Sequence, residues 1–123
     1  MARKHCLIVD DSDVIRRVTK HMLGALQFDT SEAMNGQEAV EYCQKAMPHA
    51  ILLDWTMPVL SGIESLQSLR RLPGGDAAVI IYCTTENDPA EFARARRAGA
   101  DDVIVKPYNR EMLREKLMAA GLM

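Results

Sequence analysis

Five residues with complementary chemistry each follow directly on a short apolar run. Asp10 and Asp11 follow Cys6-Leu7-Ile8-Val9, Asp54 ends His49-Ala50-Ile51-Leu52-Leu53, Thr84 follows Ala78–Cys83, and Lys106 follows Val103-Ile104-Val105. Three carboxylates, a hydroxyl and an ammonium in one crevice would be an unstable group by themselves, because neighbouring carboxylates raise each other's pKa values. A divalent cation removes that penalty. Hard oxygen ligands in a partly open shell suit Mg²⁺, which keeps waters and binds phosphate oxygens. With the metal and Lys106 at hand, Asp54 can stay ionised and attack phosphorus to give an acyl phosphate. The metal, Lys106 and the Thr84 hydroxyl would then meet the negative charge on the phosphoryl oxygens. Taken singly each residue has a plainer reading. An acidic pair before a helix serves as a cap, a strand-end Thr is structural, and a lone Lys is a solvated charge. It is their coincidence at the ends of successive strands that points to a site.

That coincidence requires particular elements to hold it. Short apolar runs alternate with segments of helical period along the whole chain. Residues 5–9 read as the first strand. Residues 12–26 place Val14, Val18, Met22 and Leu26 on one helical face, with Ile15 and Leu23 beside it. Residues 29–33 form a weaker strand candidate. Asn35-Gly36-Gln37-Glu38 reads as a capping box opening a helix to about Met47, and Ser61-Gly62-Ile63-Glu64 as a second, opening a helix to about Leu72. Ala78–Cys83 is nearly uninterrupted in its apolar character, as expected of a strand covered on both faces. Asp88-Pro89-Ala90-Glu91 supplies an N-cap, a first-turn proline and an acid, and Gly99 closes that helix. Val103–Val105 is the fifth strand, and Asn109 to about Ala120 the last helix. The result is a (βα)5 array: an α/β fold with a parallel sheet covered by helices on both faces. Sites in such sheets form at the carboxyl ends of the strands, near a switch in strand order.

Bulk properties narrow the function classes. The chain has 123 residues, 48% hydrophobic and 26% charged, with a net charge of −2. This fits one domain spanning residues 1–123 with no output domain. It lacks the basic excess that DNA binding requires. No run is long enough for membrane insertion, and the first apolar stretch is too short for a signal peptide, so a cytoplasmic location is the default. Cys6, Cys43 and Cys83 have no metal-ligand spacing and read as buried, reduced thiols.

Ile8-Val9-Asp10-Asp11-Ser12, Asp54-Trp55-Thr56-Met57-Pro58 with Gly62, Cys83-Thr84-Thr85-Glu86, Gly99-Ala100-Asp101-Asp102 and Val105-Lys106-Pro107 together resemble the receiver domains of response regulators, most closely chemotaxis-type, CheY-like single-domain proteins. The resemblance covers essentially the whole chain. It implies a flavodoxin-like three-layer sandwich with the strand order 2-1-3-4-5 that CheY is known to have. It also implies Asp54 as the phosphorylation site, Asp10 and Asp11 as Mg²⁺ ligands, one of them through water, and the Thr56 backbone carbonyl as a further ligand. Lys106 would contact the phosphoryl group, Thr84 would be the switch hydroxyl, and Thr56 and Glu86 would tune water access. A cis Lys106–Pro107 bond is expected. The donor would be a sensor histidine kinase and the reaction phosphoryl transfer followed by slow self-hydrolysis. The output would run through the fourth helix, fifth strand and fifth helix to a target such as a flagellar motor switch component, in chemotaxis. A phosphorelay intermediate or a kinase-binding regulator is the alternative role.

The chain departs from the family in two places. An aromatic residue often stands three positions before the Lys, where this chain has Val103; Tyr82 and Tyr108 lie elsewhere and are not evident substitutes. Arg94, Arg96 and Arg97 make the fourth helix basic. They read as a dipole-complementing C-terminus or as a site for an acidic partner or for cyclic di-GMP, since arginine suits bidentate phosphate contacts. Other classes fit less well. An aspartate-nucleophile phosphatase would need a second Asp two residues after the first, and Thr56 stands there. A flavin carrier would need a hydroxyl-rich phosphate loop, and Asp10-Asp11-Ser12-Asp13 would repel phosphate without a metal. The chain is therefore expected to be a phosphoacceptor rather than an enzyme.

Overall fold

The computed structural model of the chain describes residues 3–55 and 61–123. Strands and helices alternate as β1 (His5–Val9), α1 (Asp13–Ala25), β2 (Asp29–Ala33), α2 (Gly36–Lys45), β3 (Ala50–Asp54), α3 (Gly62–Arg71), β4 (Val79–Thr84), α4 (Pro89–Ala98), β5 (Asp102–Val105) and α5 (Arg110–Ala119). All strand pairs are parallel, in the order β2-β1-β3-β4-β5, as the resemblance implied. β1 pairs with both β2 and β3, so the chain reverses its direction of growth across the sheet at β1 and the carboxyl ends of β1 and β3 flank the resulting crevice.

Strand periodicity divides the core into two layers. Leu7, Val9, Ile51, Leu53, Ile80, Tyr82 and Val103 point to one face, where they meet Ala39, Leu66, Leu69 and Ala95 of α2, α3 and α4. Cys6, Ile8, Ala50, Leu52, Ile81, Cys83 and Ile104 point to the other, against Leu23 of α1 and Leu113 and Leu117 of α5. The central strands are buried on both faces, which explains their unbroken apolar sequence. β2 is an edge strand with largely accessible side chains, so its sequence carried a weak signal.

Two local expectations are corrected. The inward line of α1 runs through Thr19 and Leu23, whereas Val14 and Val18 are 65% and 48% exposed. A polar residue took the buried position because the Thr19 hydroxyl bonds the Tyr108 hydroxyl at 2.8 Å, and this broke the apolar pattern. At α2, Asn35 does cap the Glu38 amide, but the Glu38 carboxylate accepts from Met34 N–H at 2.9 Å instead of closing a box on Asn35. The Ser61–Glu64 capping box is complete. Gly99 takes φ +125°, a conformation that L side chains rarely adopt, and ends α4 there. The Lys106–Pro107 bond is cis. All three cysteines are free and buried.

Candidate functional site

The parallel register brings the strand ends to one rim. Asp10 and Asp54 are buried, 4% and 5% exposed, because each directly extends a core strand, while Asp11 is exposed. One carboxylate oxygen from each of Asp10, Asp11 and Asp54 lies within 4.8 Å of the others. Lys106 reaches over from the end of β5 and its Nζ donates to Asp10 Oδ2 at 2.7 Å and to Asp54 Oδ1 at 2.8 Å. The other Asp10 oxygen accepts from Ser12 N–H at 2.9 Å, which sets the turn into α1. Ser12 also caps that helix by accepting from Ile15 N–H.

Burial, followed by the charges of Asp10 and Asp11, holds the Asp54 carboxyl above its ordinary pKa, although the Lys106 hydrogen bond and charge pull the other way. Burial alone would lower the Lys106 pKa, but the hydrogen bonds and charges of Asp10 and Asp54 outweigh it and keep the ammonium protonated. The donor set fits a divalent cation. It is all oxygen, which selects a hard ion, and a 2+ charge would balance what Lys106 leaves uncompensated.

Thr84 is fully buried at the end of β4, and its Oγ1 accepts from Glu86 N–H at 2.9 Å. As an acceptor the Thr84 oxygen braces the loop into α4, which leaves its O–H free to donate. Thr56 lies outside the described residues. Beside the rim, Val14, Ile15, Val18, Met22, Pro107 and Tyr108 line an apolar groove of about 350 Å³ that reaches Lys106.

On the opposite flank, Arg94 pairs with Glu91 at 3.4 Å and Arg96 with Asp102 at 3.1 Å, while Arg97 is exposed. A dinucleotide would have to displace two intramolecular pairs to use all three arginines. Asp102 also accepts from Lys116 at 3.1 Å, so one carboxylate joins α4, β5 and α5. Sequence reasoning missed this brace, and also that of Arg70, which donates to the carbonyls of Gly75, Ala78 and Gly99 and to Asp101. These contacts link separate elements and loops, so the periodicity within any one element does not record them. Register also revises the reading of Tyr82. It pairs directly with Val103, and the two side chains share a face.

Fold and site together define an α/β protein of flavodoxin-like topology with an acidic cleft at its topological switch point. More narrowly, the chain belongs to the response regulator receiver domain family, which it matches over residues 6–118. It is 37% identical over 113 residues to the chemotaxis protein CheY1 of Helicobacter pylori, covering 90% of this chain and 91% of that protein. The structure of the chemotaxis response regulator CheY4 of Vibrio cholerae superposes with a TM-score of 0.92 at 31% identity, over 99% of this chain and 100% of that one. The receiver domain of the Pseudomonas aeruginosa sensor kinase PA1611 superposes with a TM-score of 0.88 at 28% identity, over 96% and 97% of the chains; its structure holds a magnesium ion in the active-site cleft.

Proposed function

We propose that this receiver accepts a phosphoryl group on Asp54 from the phosphohistidine of a sensor histidine kinase and later loses it by slow hydrolysis. One observation carries the reading: a buried aspartate at a strand end, tied to Lys106 through one oxygen, beside two further carboxylates. In the transfer, an Asp54 oxygen forms a bond to phosphorus as the P–N bond breaks. The electron pair stays on the departing imidazole, which then takes up a proton. Lys106 holds Asp54 Oδ1 at 2.8 Å and orients the carboxylate, while its charge faces the incoming phosphoryl oxygens. Asp10, Asp11, Asp54 and the Thr56 carbonyl would hold Mg²⁺, whose chemistry is neutralisation of the phosphoryl charge. The Thr84 hydroxyl, released from Glu86 N–H, would donate to a phosphoryl oxygen. The apolar groove beside Lys106 supports a protein donor, since a small phosphate ester would have no use for it.

Output is assigned to the face of α4, β5 and α5, toward a protein target such as a flagellar motor switch component. The chemotaxis relatives support that pathway. The relationship to chemotaxis receivers also supports a cytoplasmic location. No described helix is long and apolar enough to cross a membrane. The test is incubation with acetyl phosphate and Mg²⁺, followed by mass measurement of the native protein and Asp54→Asn. Native protein should gain one phosphoryl group and the variant none; equal uptake refutes the assignment.

A further inference from the structure

Two buried polar atoms, the Tyr82 hydroxyl on β4 and Glu91 Oε1 on α4, have no hydrogen-bond partner among the described residues. Tyr82 is fully buried and Glu91 only 6% exposed. Orphaned polar atoms at such depth are uncommon and costly, and a native structure that keeps two of them in one layer calls for a reason. The two groups sense one another, since burial and then the Glu91 charge push the Tyr82 phenol above its ordinary pKa. Glu91 uses only Oε2, for its pair with the exposed Arg94.

The anchoring of α4 is uneven. Its C-terminal end is fixed: the Gly99 carbonyl accepts from Arg70 Nε at 2.9 Å and Nη2 at 2.6 Å, and Arg96 pairs with Asp102. Its N-terminal end is held by the Asp88 cap on Ala90 N–H at 3.0 Å and by the loop that Thr84 Oγ1 braces through Glu86 N–H. A change at Thr84 therefore reaches the first turn of α4, where Glu91 sits, while the last turn stays in place. Tyr82 stands two residues before Thr84 on the same face of β4, with room for its ring because the adjacent residue on β5 is Val103.

We propose that Tyr82 and Glu91 form a latch that closes when Asp54 is phosphorylated, with the Tyr82 hydroxyl donating to the Glu91 carboxylate and fixing the first turn of α4 in a second position. The latch rests on the phosphoacceptor reading for its trigger. As Thr84 turns to the phosphoryl group, Glu86 N–H loses its acceptor and the loop releases α4 to pivot about its fixed C-terminal end. The closed hydrogen bond satisfies both orphaned atoms at once. In this way an aromatic residue on β4 takes over the coupling of site to surface in a chain with no aromatic at position 103.

The experiment uses the full chain and the variants Tyr82→Phe, Glu91→Met and the double variant. Phosphate uptake from acetyl phosphate is read by mass, and backbone amide exchange over residues 89–95 is read with and without Mg²⁺ and beryllofluoride, a stable phosphoryl mimic. In the native protein the mimic should slow exchange in the first turn of α4 about tenfold, the effect of one charge-assisted hydrogen bond. Each single variant should keep uptake and lose that slowing, and the double variant should match the singles. Tyr82→Phe without the mimic should be at least as stable to urea as the native protein, because it removes a hydroxyl that has no partner in that state. Slowing retained in Tyr82→Phe at native uptake overturns the latch. Loss of uptake in either variant also overturns it, since the pair would then serve the acceptor site itself. No uptake in the native chain overturns the phosphoacceptor reading and removes the trigger with it.

Discussion

Lys106 and a divalent cation compete for the same carboxylates, and this yields a prediction that runs against the usual effect of damaging a site. Lys106 Nζ sits 2.7 Å from Asp10 Oδ2 and 2.8 Å from Asp54 Oδ1, and its side chain is only 12% exposed, so it has little room to swing clear. A cation held by this cluster would share Asp10 and Asp54 with the ammonium, and a 2+ and a 1+ charge on the order of 5 Å apart repel by ~1.7 kcal/mol in water before screening. At physiological salt, with a Debye length of ~8 Å, screening leaves roughly half of that repulsion at an exposed site and more in a buried one. Lys106→Met should therefore bind Mg²⁺ roughly 5- to 15-fold more tightly than the native protein, while its phosphate uptake falls. Trp55, next to Asp54 and half-buried, provides the assay: its emission is titrated with Mg²⁺ at one fixed pH and ionic strength for both proteins. In chelator the same variant should lose ~3 kcal/mol of stability, because two buried carboxylates are left without their counter-ion. Saturating Mg²⁺ should narrow that gap. Unchanged or weaker Mg²⁺ affinity in Lys106→Met would refute the claim that the ammonium and the metal share these oxygens.

Other expectations follow from single contacts. Burial raises the Asp102 pKa, but its hydrogen bonds to Val103 N–H and Lys116 and the charges of Lys116 and Arg96 outweigh that and hold it below the ordinary 3.8. Its stabilising contribution is thus present above that pH and lost as pH falls through the lowered value, so Asp102→Asn should cost about 1 kcal/mol at pH 7 and progressively less toward pH 3, as read by urea unfolding. At Gly62 an added Cβ would lie 2.8 Å from Trp55 Cα and 2.9 Å from Tyr82 Cε1; Gly62→Ala should cost ~1–3 kcal/mol by the same assay, since backbone must move to admit it. Val103→Tyr should destabilise by ~1–3 kcal/mol by crowding Tyr82, and adding Tyr82→Val should recover most of the loss; a stable single variant would show that the two sites do not compete for space. Burial pushes the thiols of Cys6 and Cys43 up to about 12 and about 11, and that of Cys83 higher still, so a disulfide reagent at pH 8 should leave the native protein unmodified for minutes and label the three cysteines only after denaturation.

What the sequence made legible follows from where each signal is stored. Apart from the polar edge strand β2, the strands could be read because burial writes short apolar runs, and the helices because residues such as Ser61, Asp88 and Gly99 mark their ends by local geometry. The rim was legible for a related reason: a residue directly after a parallel strand must emerge at its carboxyl end, so Asp10, Asp54, Thr84 and Lys106 had one place to go. The misreadings concern contacts between distant segments. The polar Thr19 hides the inward face of α1 until its bond to Tyr108, 89 residues away, is seen. Glu91 reads as an ordinary first-turn acid and is buried. Tyr82 was set aside because it lies far in sequence from Val103, yet register makes the two neighbours.

These longer-range contacts also explain how a site formed at one end of the sheet can act on a lateral face. β4 carries Thr84 at its end and Tyr82 two residues before it, so both side chains address the same layer. The helix over that layer is tied at its C-terminal end by Arg70 and Arg96 and at its N-terminal end by loop contacts that depend on Thr84. In the proposed latch, a small change at Thr84 makes such a helix pivot, since its packed C-terminal end cannot follow. Asp102 then determines how far the motion spreads, because it joins Arg96 of α4 to Lys116 of α5 through one carboxylate. If α4, β5 and α5 form the output face as proposed, the first turn of α4 is the part of it whose anchoring depends on Thr84.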